Sequence, residues 1–139
     1  MGINLKETVG FDVNVVGDRT GEKWFGQFSS LKRLSHRQEL LRDKIRRELL
    51  GTNQEGVSRR ALDQADMLSE LQVSLIDTPT WWKEAGNGID LGDDNILTEV
   101  YTKVIEIKLK AIEEIQKKGE DAGTKLKDIA ESGVLAKKE

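Results

Sequence analysis

The sequence predicts an α+β fold in which an N-terminal β-hairpin packs on a three-helix body. Three observations lead to this prediction: two alternating apolar segments around a glycine-containing turn, three apolar stripes at helical spacing, and a charged C-terminal stretch. We expect one domain over residues 1–118, with the hairpin at 9–28 and helices at about 35–50, 58–76 and 95–118. A charged helical or extended tail is expected over 119–139.

The hairpin is predicted from the alternation of apolar and polar residues on both sides of a turn. Residues 9–16 and 22–28 each alternate as a strand with one buried face does. The turn at 17–21 is bounded by glycines, which accept a positive φ at little cost. Because a lone hairpin is marginal in water, it must pack on helices, further strands or another chain. In the first segment Phe11, Val13 and Val15 are expected on one face, and in the second Trp24, Gly26 and Phe28 are expected on one side.

The first two helices are predicted from their start and stop signals. Ser35 and Gln38 match a capping box, and Gly51 is placed to end the helix that follows. Ser58 is a candidate N-cap for the second helix, and Pro79 stops the pattern by about Ile76. Both helices carry apolar residues at three- and four-residue spacing, as helices with one buried face do.

The third predicted helix, over about 95–118, has an unusually wide apolar face. Two rows of apolar residues run side by side along it, so we expect two neighbouring elements to cover it. Gly119 and Gly123 interrupt the pattern, and we therefore expect the helix to end near Lys118.

Composition excludes several classes of protein. The 139 residues are 37% hydrophobic and 34% charged, and no apolar run reaches the roughly 18 residues of a membrane-spanning helix. No basic segment followed by an apolar stretch opens the chain, so no signal peptide is expected. Zero cysteines and one histidine remove disulfides, thiol catalysis and most zinc sites. We expect no catalytic, cofactor-binding or metal-binding site and no enzymatic activity.

Two polar features have an ordinary structural interpretation. His36 lies in the first turn of a predicted helix, where it is expected to be a surface or capping residue. Asp90, Asp93 and Asp94 offer oxygens to a hard cation, but they lack the spacing of an EF-hand loop. Carboxylates just before a helix are favoured by the helix dipole alone. We therefore expect a capping role for this group.

Charge is distributed unevenly along the chain. Residues 1–60 carry a net charge of +4 and residues 61–139 a net charge of −7, within an overall −3. The basic stretch 32–47, continued to Arg60, allows a DNA-binding regulator as one alternative. The acidic residues that follow it and the pI near 5.4 argue against that alternative, so nucleic acid is not the expected partner. A solvated face or a contact with an acidic partner explains the stretch better.

The adjacent Trp81 and Trp82 are the most informative pair. Neighbouring side chains cannot both point the same way, so one is expected in the core while the other caps the domain or meets a partner. Tryptophan is enriched at interface hot spots, and core packing of both remains an open alternative. The residues that we expect at a partner interface are Phe25, Lys44, Arg46, Arg47, Trp81 and Trp82.

Several short motifs resemble small structural-gene products of tailed bacteriophages, and the resemblance spans about residues 9–115. The segments that carry it are Trp24-Phe25-Gly26-Gln27-Phe28, Leu34-Ser35-His36-Arg37, Ile45-Arg46-Arg47-Glu48-Leu49-Leu50-Gly51, Asp77-Thr78-Pro79-Thr80-Trp81-Trp82, Leu91-Gly92-Asp93-Asp94-Asn95 and the helix containing Tyr101.

The resemblance implies a virion or morphogenesis role without catalysis. The expected function is an accessory capsid protein, of the cement or decoration kind, that stabilises the shell through protein–protein contacts. Its implied partners are the major capsid protein or another phage structural protein, in a multi-copy or homo-oligomeric arrangement, in the virion and in the host cytoplasm during assembly. A tail assembly chaperone that is absent from the mature particle is the alternative, and no membrane partner is implied.

Overall fold

A computed structural model describes residues 6–51 and 55–129, with side chains described through residue 119. The chain divides into two compact units, residues 1–108 and 109–139. The elements in chain order are β1 Thr8–Val16, β2 Lys23–Leu31, α1 His36–Leu50, α2 Arg59–Ser74, β3 Leu75–Asp77, α3 Thr80–Glu84 and α4 Asp94–Ile129. This mixed α+β architecture confirms the predicted fold class.

The sheet is antiparallel with strand order β1-β2-β3. β1 and β2 form the predicted hairpin, in which Phe11 lies opposite Phe28 and Val13 lies opposite Gly26. β3 adds a short third strand, with Leu75 opposite Ser30, and a register shift interrupts this pairing. The long strand β1 therefore lies at one edge of the sheet.

The predicted capping signals are confirmed at α1 and α2. Ser35 and Gln38 form a reciprocal capping box, and the N–H of Gly51, which has a φ of 84°, bonds to the carbonyl of Arg47. At the start of α2, the Ser58 hydroxyl accepts a hydrogen bond from the N–H of Ala61. Since each cap pairs backbone groups that a helix end leaves without partners, the first turns of these helices are locally specified.

Two predicted helix ends are wrong, and one helix was missed. The second helix was expected to reach Ile76, but it ends at Ser74 because Leu75 takes an extended backbone and joins the sheet. The short helix α3 was not predicted. The third predicted helix was expected to end near Lys118, but α4 continues through Gly119 to Ile129. A glycine costs a helix interior only about 1 kcal/mol, which neighbouring helix-forming residues offset. Residues 130–139 of the predicted tail lie outside the described residues.

The core of the first unit joins the sheet to α2, α3 and α4. Its fully buried side chains come from all of these elements, and the faces predicted for the hairpin are confirmed in or against it. The expectation that neighbours cover the whole apolar face of α4 is wrong for the second unit, where Leu109, Ile112 and Ile115 remain 54%, 49% and 40% exposed. The buried core residues are Val13, Phe28, Leu71, Trp82, Ile96, Leu97, Val100 and Val104.

The residue that ties the hairpin turn to α4 is Asp93. Its Oδ1 accepts the backbone N–H groups of Arg19 and Thr20 at 2.7 and 2.8 Å. Its Oδ2 accepts the Thr20 hydroxyl at 2.7 Å and the Trp24 indole N–H at 2.9 Å. Asp93 is only 1% exposed, so these donors replace the water that its carboxylate would otherwise bind. We call this set of contacts the Asp93 clasp.

Neighbouring residues extend the clasp. The side-chain amide of Asn95 donates to the carbonyl of Val16 at 2.6 Å and accepts the N–H of Asp18 at 3.0 Å. Asp94 pairs with Arg19 of the turn at 3.3 Å and with Arg60 of α2 at 2.6 Å. Three consecutive residues at the start of α4 therefore hold the turn, and one of them also holds α2.

Hydrogen bonding to the ionised carboxylate changes its acidity. The Thr20 hydroxyl is the largest influence, and together with the Trp24 indole and two backbone N–H groups it lowers the pKa of Asp93 from 3.8 to about 2. Desolvation opposes this change and is outweighed. The clasp therefore favours a charged Asp93 throughout the neutral and mildly acidic range.

The clasp predicts that Gly17 tolerates no side chain. A Cβ at Gly17 would overlap the Asp93 carboxylate, whereas a Cβ at Gly92 would meet nothing within 4 Å. We expect Gly17→Ala to lower the free energy of unfolding by about 1–3 kcal/mol, because the turn or the carboxylate must move. Gly92→Ala, the matched control, should change it by less than about 0.5 kcal/mol. Urea denaturation measures both, and equal effects would contradict the clasp.

Candidate functional site

The outer face of the hairpin presents two exposed apolar side chains. Phe25 is 66% exposed and Val16 is 55% exposed. Because Asn14 pairs with Phe25 and Val16 pairs with Lys23, the side chains of Val16 and Phe25 are diagonal neighbours on one face of the sheet. We call Val16 and Phe25 the hairpin patch. Neighbouring exposed apolar side chains on one face of a sheet form a candidate contact surface.

The aromatic residues behind the hairpin patch fix its backbone. The Trp81 indole N–H donates to the carbonyl of Phe25 at 2.8 Å, and the Trp81 ring lies 5.0 Å from the ring of Trp24. A Cβ at Gly26 would lie 2.5 Å from Cγ of Pro79, so glycine is required where α3 packs on β2. Edge-on contact at 5.4 Å between Phe28 and Trp82 continues the aromatic cluster into the core. The patch is therefore held on a packed base.

Helix α1 is attached through charged side chains. It has no buried residue, and its face toward α2 is joined by Arg42, which lies 3.4 Å from Glu70, and by Arg46, which pairs with Asp66. Leu40 and Leu41 are 70% and 47% exposed on the other side of the helix. The exposed cations Arg37, Lys44 and Arg47 form no ion pair within the described residues.

A second charged cluster lies between α2 and α4. Lys108 Nζ is 2.9 Å from Glu70 Oε1 and 2.6 Å from the Ser74 hydroxyl. Glu70 is 8% exposed and is held from the other side by Arg42. Three elements therefore meet at one largely buried carboxylate.

Burial lowers the pKa of Lys108 from 10.5, and the nearby charge of Glu70 opposes that change. Burial also raises the pKa of Tyr101, with the charge of Glu70 adding to the effect.

The structure separates the six residues that were expected at an interface. Phe25 lies on the hairpin patch, and Trp81 is partly buried directly behind it. Lys44 and Arg47 are exposed on α1, away from the hairpin in the chain, and form no ion pair within the described residues. The six residues fall into three sets: Phe25 with Trp81 at the hairpin, Lys44 with Arg47 exposed on α1, and Arg46 with Trp82, whose side chains are engaged by residues of the same chain.

Two of those expectations need correction. Trp82 was expected as an interface anchor, but it is 1% exposed and packs against Phe28, so its indole serves the core. Arg46 was expected as a charge contact for a partner, but its guanidinium is engaged by Asp66 of the same chain. The open alternative for the tryptophan pair is resolved: Trp82 fills the core and Trp81 caps it beneath Phe25.

Asp93, Glu70 and Lys108 were missed as organising residues. Asp93 was expected to cap a helix, and its contacts join residues more than 70 positions apart, which no local pattern displays. Glu70 is not one of the apolar residues from which its helix was predicted, so the sequence pattern carried no signal for its burial. Within the described residues, no group of three or more His, Cys, Asp or Glu side chains is arranged to hold a metal ion. No helix there is long and apolar enough to cross a membrane.

The Glu70 cluster predicts a large difference between two glutamates. Glu70→Gln leaves the largely buried Lys108 ammonium and Arg42 without their shared carboxylate, and we expect it to lower the free energy of unfolding by about 1.5–3 kcal/mol. Glu99→Gln is the matched control, because Glu99 and Lys103 form an exposed pair at 4.0 Å, and it should cost less than about 0.5 kcal/mol. Thermal and urea unfolding measure both. A Glu70 variant as stable as the Glu99 variant would contradict this role.

The chain was also compared with known proteins. No protein-family model, no curated protein and no solved structure matches it. The resemblance to tailed-phage products therefore depends on the short motifs alone, and the geometry of the exposed surfaces provides the independent basis for a function.

Proposed function

We propose that this protein is a non-enzymatic, accessory capsid protein of a tailed bacteriophage that stabilises the shell through protein–protein contacts. The observation that carries the proposal is the hairpin patch, an exposed aromatic and an exposed valine on a sheet whose backbone is fixed from behind. A cement protein needs a preorganised contact surface, because ordering a flexible one on binding costs affinity.

The base of the hairpin patch supports this proposal. Phe25 is held by the hydrogen bond from Trp81, and the turn at the end of the hairpin is held by the Asp93 clasp. Aromatic side chains that bury area with little loss of rotamer freedom are enriched among interface hot spots. Phe25 is therefore the residue whose truncation should most weaken binding to a shell protein.

The outer side of α1 supports a second contact. Leu40 and Leu41 lie beside Lys44 on the side of the helix away from α2, and the nearby Arg37 and Arg47 add positive charge. A surface that combines exposed leucines with unpaired cations fits an acidic, partly apolar partner surface. Two separated contacts suit a protein that bridges subunits of a shell.

A tail assembly chaperone is the second candidate, and the second unit favours it. Leu109, Ile112 and Ile115 follow one another at three-residue spacing on α4 and are 54%, 49% and 40% exposed. Residues at this spacing share a helix face, and an exposed apolar face of this kind suits transient binding of a client protein. A chaperone would be present during assembly and absent from the finished particle.

The charges of the basic stretch give less support to a DNA-binding regulator. Arg42, Arg46 and Arg60 are engaged by acidic residues of the same chain, so fewer cations remain for phosphates. Duplex binding at low salt that weakens steeply as salt is added would favour this third function.

Mass spectrometry of purified particles tests the proposal directly. An accessory capsid protein should be present at a fixed copy number relative to the major capsid protein. Phe25→Ala should reduce its occupancy on shells at least tenfold, which corresponds to about 1.4 kcal/mol. Gln27→Ala is the matched control, since Gln27 is exposed on the same face and should leave occupancy unchanged.

The other outcomes separate the candidates. Absence from purified particles together with presence in infected-cell lysate would contradict the capsid role and support the chaperone. Presence in particles with equal occupancy for both variants would contradict the role of the hairpin patch and leave the α1 surface as the contact.

A further inference from the structure

The free edge of β1 has a defined set of backbone groups facing outward. Directly opposed residues exchange hydrogen bonds at every second pair of an antiparallel ladder. Gly17 bonds to Glu22 at 2.8 Å and Lys32 bonds to Glu7 at 3.0 Å, so the odd-numbered residues of β1 face β2. The even-numbered residues therefore direct their N–H and C=O groups away from the hairpin.

One end of this free edge is already occupied. The side-chain amide of Asn95 donates to the carbonyl of Val16 and accepts the N–H of Asp18. Both are even-numbered residues, whose backbone groups the alternation directs away from β2. Four even-numbered residues remain, Thr8, Gly10, Asp12 and Asn14, and no hydrogen bond reaches their outward backbone groups from the described part of the chain. The open edge thus runs from Thr8 to Asn14.

Apart from the charge of Asp12, the open edge lacks the devices that normally protect an edge strand. Residues 8–14 contain no proline and no lysine, and the β1–β2 register runs without a bulge from Thr8 to Val16. Proteins usually cover or blunt such edges, because unpaired donors and acceptors in a row are a template for another strand. An unprotected edge of this length is suited to strand addition.

We propose that β1 pairs with β1 of a second copy of this chain across a two-fold axis at Phe11. In this antiparallel register, Thr8 lies opposite Asn14 of the second copy and Gly10 lies opposite Asp12. These pairs use each open position once and stop short of Val16, whose carbonyl Asn95 already holds. The two hairpins and their third strands then form one six-stranded sheet.

Charge and the occupied Val16 distinguish this register from the one centred on Asp12. The alternation allows only shifts that keep even-numbered residues opposite even-numbered residues, since only these have outward groups. Centring the pairing on Asp12 would place two carboxylates opposite each other and would require the occupied Val16, which disfavours it. Centring it on Phe11 places Asp12 opposite a glycine and sets the two Phe11 residues, each with its ring stacked on its own Phe28 at 5.4 Å, directly opposite each other.

The choice of a second copy follows from this self-complementarity. An isologous interface requires one segment to complement itself when reversed, and residues 8–14 do so without a like-charge pair. The inference does not rest on the proposed capsid function, since a chaperone or a regulator would pair in the same way.

The mass of the intact protein in solution is the first test. Analytical ultracentrifugation should give twice the 15.6 kDa of one chain at about 100 µM, where a micromolar Kd yields an almost complete dimer. Asp12→Pro should give the monomer mass, because it removes an outward donor that serves no bond within the chain. Asp12→Asn, which keeps the N–H, should remain a dimer. Circular dichroism shows whether each variant is folded.

Disulfide cross-linking tests the register in a chain that has no cysteine of its own. The double variant Gly10→Cys with Asp12→Cys should form a covalent dimer on mild oxidation, because opposed residues lie about 5.5 Å apart. Neither single variant should cross-link, since identical positions then lie about 7–8 Å apart. A Cβ at Gly10 meets only ordinary contacts, at 3.6 Å from the Phe28 carbonyl oxygen, so the substitution is compatible with the strand.

Each outcome decides the inference. A dimer that Asp12→Pro dissociates and that only the double variant cross-links supports it. A monomer at about 100 µM, a dimer that a folded Asp12→Pro leaves intact, or cross-linking of either single-cysteine variant alone would overturn it. A monomer that adds a strand from another virion protein at this edge would also overturn the second-copy assignment, without affecting the capsid function.

Discussion

The carboxylate of Asp93 joins two parts of the first unit that are far apart in sequence. The hairpin turn supplies the donors, and the start of α4 supplies the acceptor. The carboxylate is buried, so a turn that moved its donors away would leave oxygens that water does not reach. The clasp therefore favours the one placement of the turn in which every donor reaches Asp93. The orientation of the hairpin on the helices depends on this contact, and the hairpin patch and the free edge of β1 depend on that orientation.

The outward surfaces depend on the clasp in different ways. The hairpin patch is fixed because Trp24 donates to Asp93 on one side while Trp81, packed against Trp24 at a tilted angle, donates to the carbonyl of Phe25. The free edge of β1 ends before Val16, because the side-chain amide of Asn95, at the start of α4, donates to the Val16 carbonyl. The α1 surface is independent of the clasp, since that helix is attached through ion pairs to α2.

Local features of the fold were predictable, and contacts between distant segments were not. The capping box at Ser35, the turn around Gly17 and the alternating faces of the hairpin are encoded by neighbouring residues, and the structure confirms them. β3 was missed because three residues directly after a helix carry no period of their own. The helix end near Lys118 was wrong because Gly119 and Gly123 each cost a helix only about 1 kcal/mol, which the helix-forming residues around them offset.

The candidate site shows the same limit. The exposed position of Phe25 followed from strand alternation, and the division of roles between Trp81 and Trp82 followed in outline from their adjacency. Which of the two is buried depends on the close approach of Pro79 to Gly26, a contact between segments about fifty residues apart. The partner of Arg46 and the role of Asp93 likewise required the tertiary structure.

The most direct test of the clasp is an NMR titration of the indole N–H of Trp24. Its ¹H–¹⁵N resonance should follow the ionisation of Asp93, with a midpoint near the pKa of about 2, while that of Trp81, which donates to a backbone carbonyl, should not report this ionisation. Because the pKa is lowered in the folded protein, the stability that the clasp contributes is present above pH 3.8 and is lost as the pH falls toward 2. A Trp24 midpoint near 3.8, or a Trp24 resonance that does not titrate, would contradict the account.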